Sequence, residues 1–148
     1  MSEGTNKPKS ETPDGPGDDS FFENGGLRSK FVARETMEPM ARVMAGDNLN
    51  MTQLNRFFRH CRRIEFRLKR GETNWEQERS EVELLSAHAA DAVGKGEKIP
   101  ASFRQFIDSN VGRVRTKDDF VKGFMKHFEA LMGFASLYAK RGQRGRTQ

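Results

Sequence analysis

Arg56, Arg59, Arg63, Arg67 and Arg70 recur every three or four residues in "TQLNRFFRHCRRIEFRLKR", residues 52–70, where seven Arg and Lys stand against one acid, Glu65. Guanidinium groups offer forked N–H donors that match phosphate or carboxylate oxygens two at a time. At about 100° per residue the five arginines fall in a band about 80° wide on one face of a helix. Leu54, Phe57, Cys61, Ile64 and Leu68 form a narrow apolar stripe almost opposite, so the core side is fixed and the arginines point outward. Glu65 lies near the core-facing edge and leaves the stripe to repel itself, at a few tenths of a kcal/mol per like-charged neighbour. A polyanion or an acidic protein face would relieve that repulsion. Phe66 stands at the edge of the band, and arginine beside an aromatic ring suits RNA, through phosphate contacts and stacking. The same pair suits a protein interface, and a solvated face is the third reading. Phe66 taken alone reads as packing on a neighbouring helix or subunit.

The remaining reactive side chains suggest no catalysis. His60, His88 and His127 are far apart, and none is spaced with another His or Cys as a metal ligand. His127 and Glu129 diverge by about 200° on a helix, so they cannot form an acid–base pair, and His127 reads as a surface residue. Cys61 sits in the apolar stripe and reads as a packed, inert thiol; a single cysteine also excludes an internal disulfide and fits a reducing compartment. "GKGEK", residues 94–98, lacks the spacing of a phosphate loop and reads as a helix stop. No catalytic residue, metal or cofactor is expected.

These side chains must be carried by a modest domain. The chain has 148 residues, 34% hydrophobic and 32% charged, with twelve Phe and seven Met to build the core. Its net charge is +5, but residues 1–25 hold two Lys against six acids, so the remainder sits at about +9. Such a surface attracts nucleic acid or anionic membrane. No apolar run approaches the roughly 18 residues of a membrane span, and the polar start has no signal-peptide core, so the expected location is cytoplasmic.

The helical period predicts an all-α fold, a compact bundle of about five helices. Residues 1–26 read as a disordered acidic tail, 27–140 as the bundle and 141–148 as a basic flexible tail. The first helix is expected over about Arg28–Ala45, with Pro39 splitting or kinking it. The second starts at Asn50, with Gln53 completing a capping box, and ends at Gly71. A third runs from Trp75 to about Val93. The fourth opens at Pro100, carries Phe103, Phe106, Ile107 and Val111, and breaks near Gly112. Thr116 and Asp119 cap the last helix, which turns Phe120, Phe124, Phe128, Leu131, Ala135 and Tyr138 inward to about Ala139.

"MTQLNRFFRHCRRIE", a following Leu- and Ala-rich helix, and "FRQFIDSNVGRVRTKDDFVKGFMKHFEALMGFASLY" resemble the small subunit of type III-A CRISPR effector complexes, the Csm-type interference complex. The resemblance covers about residues 49–138. It departs from the family at Asn55, where a basic residue is usual, and at "AADAVGKG", where Lys95 is the available charge. It implies a non-catalytic helical bundle, present in several copies, forming a filament beside the guide-RNA-carrying backbone subunits and touching the large signature subunit. Its basic groove would hold the guide RNA–target RNA duplex, a role that needs backbone contacts without sequence reading. The expected RNA-binding residues are Arg56, Arg59, Arg63, Arg67 and Arg70, with Lys122 and Lys126 from the last helix; Glu129 is expected as a buried or half-buried partner for an arginine such as Arg56. A helical DNA-binding regulator and a protein-only assembly adaptor are the alternatives.

Overall fold

The computed structural model describes residues 20–96 and 99–147, with side chains described as far as residue 139. It shows the expected all-α bundle: α1 (Arg34–Gly46), α2 (Met51–Lys69), α3 (Trp75–Gly94), α4 (Ala101–Arg113) and α5 (Met125–Thr147). A two-stranded hairpin, β1 (Phe22–Glu23) with β2 (Gly26–Leu27), and a single 3-10 turn (Ser29–Phe31) precede them. The packing sets α1 on α5, α3 on α4, and α2 across α5.

The starts of α2 and α3 follow the capping chemistry of their residues, whereas Ala33 before α1 and Pro100 before α4 make no side-chain cap. The Asn50 side chain accepts from the backbone N–H of Thr52 (2.8 Å) and Gln53 (3.3 Å), satisfying two donors at the start of α2. Gln53 does not return the bond, because its side-chain oxygen accepts from Arg56 at 3.0 Å, so the expected capping box is half formed. Asn74 and Gln77 make the full box at α3. Thr116 and Asp119 exchange theirs too, Asp119 N–H to Thr116 Oγ1 at 3.1 Å and Thr116 N–H to Asp119 Oδ2 at 3.1 Å. Gly71 ends α2 with φ +75°, a conformation that favours glycine.

Three expectations need correction. Pro39 lies inside α1 without splitting it; the helix starts later than expected because Phe31 is taken up in the 3-10 turn. Helix α4 runs through Gly112 to Arg113 and ends where Val114 turns extended. Residues 20–26 are not tail: Phe21 is fully buried. Residues 1–19 of the expected acidic tail lie outside the described residues, and at the other end the α5 backbone continues to Thr147.

Phe21 packs against an irregularity that periodicity did not show. Between Asp119 and Phe124 the chain forms a π-helix before α5. A Cβ built on Gly123 within it would meet Phe21 Cγ at 2.6 Å, so glycine is required for the hairpin to dock there. The core around this seam is aromatic: Phe103, Phe106, Phe120, Phe124 and Phe128 form a chain of rings with centroids 5.5–6.2 Å apart. Phe57 and Phe58 of α2 meet it edge-on, Phe57 against Phe103 at 5.2 Å and Phe58 against Phe128 at 5.1 Å. Leu54, Cys61, Ile64 and Leu68 are buried and Phe57 half-buried, which is the stripe the wheel defined.

Candidate nucleic-acid interface

With its apolar stripe fixed against the core, α2 turns its opposite side to solvent. The arginines there have unequal surroundings. Arg59 and Arg63 are exposed and have no hydrogen bond or ion pair among the described residues. Arg56 is exposed and donates only to the neutral oxygen of Gln53. Arg67 donates through two nitrogens to both oxygens of Glu78, each at 2.9 Å. Arg70 pairs with Glu72 at 3.0 Å and lies over the Phe66 ring, 5.0 Å from its centroid.

The Glu78 pair is built like a structural tie. The Glu78 side chain is 7% exposed, and the fork of Arg67 supplies the two donors a buried carboxylate needs. The hydrogen bond from Arg67 holds the Glu78 carboxyl below its usual range, against the opposing effect of burial. Eleven residues separate the two, and the Gly71 turn brings them together.

Glu65 is likewise buried, clamped by Arg62 at 2.8 Å and Lys69 at 3.3 Å, so the one acid of the run spends its charge on cations outside the stripe. Glu129 does not meet Arg56. Its side chain is 57% exposed and approaches Arg62 at 3.9 Å, a correction that makes it a surface acid. That approach joins α2 to α5, and Lys126 lies one turn before Glu129 on the same side of α5. Lys126 is exposed without an ion pair among the described residues, whereas Lys122, in the π-helix, lies 4.0 Å from Asp118.

Phe66 is 57% exposed, so no neighbouring helix of this chain covers it. With Arg59, Arg62, Arg63, Glu65 and Lys69 it lines an open depression of about 510 Å³ on the outside of α2. An exposed ring ringed by guanidiniums can stack on a base or ribose while the cations hold phosphates.

Two further titratable groups, Cys61 and His127, face inward. Cys61 is buried, and burial pushes its thiol far above the ordinary range, in keeping with an inert packed sulfur. His127 is not at the surface as expected: it is buried between Phe31 and Phe106, and its Nδ1–H donates to the Phe31 carbonyl at 2.7 Å. Burial lowers its pKa to about 4, so it is neutral at pH 7. Among the described residues no group of three or more His, Cys, Asp or Glu is placed to hold a metal ion, and no helix is long and apolar enough to cross a membrane.

The all-α bundle places arginines and an exposed aromatic ring on one outward helix face, a combination suited to a nucleic-acid or protein interface. The Csm2 Type III-A family model matches residues 32–141, most of the chain and all five helices in whole or part, and the chain belongs to that family, a small subunit of the type III-A CRISPR effector. The match begins after the hairpin that carries Phe21. No curated protein and no solved structure matches the chain.

Proposed function

We propose that this subunit holds the guide RNA–target RNA duplex within the type III-A effector by sequence-independent contacts to the backbone. Arg59 and Arg63 make the principal phosphate contacts, with Arg56, Arg70 and Lys126 flanking them and Phe66 packing on ribose or base. Lys122 and Arg67 contribute less, since each has an acid beside it. The subunit is non-catalytic and repeats as copies in a filament alongside the guide-carrying subunits and the large subunit. The domain that does this spans residues 20–140, the hairpin included.

The observation that carries this reading is the exposure of Arg59 and Arg63 without an acidic partner among the described residues, while Arg62, Arg67, Lys69 and Arg70 beside them each have one and Arg56 donates only to Gln53. Leaving two adjacent guanidiniums in mutual repulsion costs stability that a polyanion returns. Few Asn or Gln accompany the arginines, which disfavours base-edge reading and with it the DNA regulator. The test is binding of guide–target duplexes of unrelated sequence to the effector assembled with Arg59→Ala/Arg63→Ala. Affinity should fall roughly tenfold for every sequence alike. Undiminished affinity, or loss confined to one sequence, would overturn the reading.

A further inference from the structure

Helices α2 and α3 flank a second, open cavity, of about 360 Å³, that the arginine face does not explain. Gln53, Arg56 and His60 line it from α2, and His88, Asp91 and Lys95 from α3, over a floor of Phe57, Leu85 and Ala92. Its character differs from that of the groove between α1 and α4, whose walls include Met40, Met44 and Phe106. The α2–α3 cavity is rich in nitrogen donors and holds one carboxylate, Asp91, already paired with Lys95 at 3.0 Å.

The two imidazoles stand edge to face, with centroids 6.0 Å apart. His60 Nε2 is enclosed and makes no hydrogen bond, the Glu81 carboxylate being 3.8 Å away. A buried polar nitrogen without a partner is uncommon in a settled core. An apolar floor also strengthens any charge contact made above it. Arg56 belongs to this cavity and to the outer face of α2, so the two surfaces are continuous.

We infer that the α2–α3 cavity is a phosphate-ester site, with Arg56, Lys95 and His88 as its donors and Gln53 beside them. The volume leaves room for a group of nucleotide size. The ester belongs either to the RNA strand leaving the arginine face or to a free nucleotide. Only the first source rests on the function proposed above. His60 stands at the wall: burial and the positive charge of Arg63 lower its pKa, with Arg67 and His88 adding to that and Glu81 opposing it.

The histidine ring signals of the full chain report occupancy directly, and His127, buried elsewhere, serves as an internal reference. Titration with inorganic phosphate and with adenosine 5′-monophosphate should move the His60 and His88 signals saturably and leave His127 still, while uncharged adenosine moves none. His88→Ala/Lys95→Ala, both at exposed positions, should weaken the nucleotide at least severalfold without changing the melting temperature. If the same variant weakens RNA binding severalfold and lowers the salt slope by about one, the ester is in the RNA strand. If RNA binding is unchanged, the ligand is a free nucleotide. Unmoved His60 and His88 signals at millimolar phosphate and nucleotide would overturn the site, as would an acidic peptide that moves them when neither phosphate compound does. An Arg59→Ala/Arg63→Ala variant that binds RNA normally would defeat the arginine-face reading and leave this titration to stand by itself.

Discussion

The two ends of the α2 arginine stripe look alike on a helical wheel and differ in the folded protein. At the C-terminal end Arg67 grips a buried glutamate with both arms of its fork, and Arg70 has Glu72. Toward the middle Arg59 and Arg63 stand exposed with no acid against them among the described residues. The same residue type at the same spacing ties a buried carboxylate in one place and, in the function proposed above, binds RNA backbone in the other. What divides them is the α3 helix, which after the Gly71 turn delivers Glu78 to Arg67 and delivers no acid to Arg59 or Arg63.

The histidines repeat that division, and they offer the largest effect by which to sharpen it. His127 is engaged inside, whereas His60 and His88 line an open cavity. Because the folded pKa of His127, about 4, lies below the unfolded value of roughly 6.5, the unfolded chain binds the extra proton first. Its contribution is fully present above about pH 6.5 and is lost as pH falls toward 4, a decline of about 3 kcal/mol. Denaturant unfolding from pH 7 to pH 4 should show that decline in the native chain, and His127→Gln should flatten it.

Glu78→Gln comes next. It leaves the Arg67 fork facing a poorer acceptor and should cost about 2 kcal/mol in denaturant unfolding at pH 7, while RNA affinity stays within about twofold. The sign with pH is that of a depressed carboxyl: the tie is complete above about pH 4.3, the unfolded value, and is lost as pH falls through the lower folded value. If Glu78→Gln weakened RNA binding as much as loss of Arg59 and Arg63 does, the two ends of the stripe would not be distinct. Phe66→Ala should give the smallest change, stability within about 0.5 kcal/mol and RNA binding weaker by about 1 kcal/mol through lost stacking, read by fluorescence titration.

Much of the bundle was legible in the sequence because its signals are local. Asn50 and the Thr116–Asp119 pair cap helices where their side chains reach backbone N–H groups three residues away. The period of Leu54, Cys61, Ile64 and Leu68 fixed the outward direction of the arginines without reference to any other helix. Contacts made across the fold were not legible. Phe21 looked like tail because the glycine that receives it, Gly123, is about a hundred residues on, and the π-helix there has no periodic signature. Arg67 looked free because Glu78 lies beyond a turn, and His127 looked exposed because only α1, α4 and the 3-10 turn together enclose it. Glu129 had the reverse fate, since the α5 face it occupies stays open beside Arg62.

In the proposed function the middle of α2, not its C-terminal end, carries RNA. The most direct measurement is the salt dependence of RNA affinity for three versions of the subunit: unchanged, Arg59→Ala/Arg63→Ala, and Arg67→Ala. The slope of log affinity against log salt should become shallower by about two for the double variant and by less than one for Arg67→Ala, whose loss should show in melting temperature instead. Equal slopes for the unchanged protein and the Arg59→Ala/Arg63→Ala variant would contradict the account.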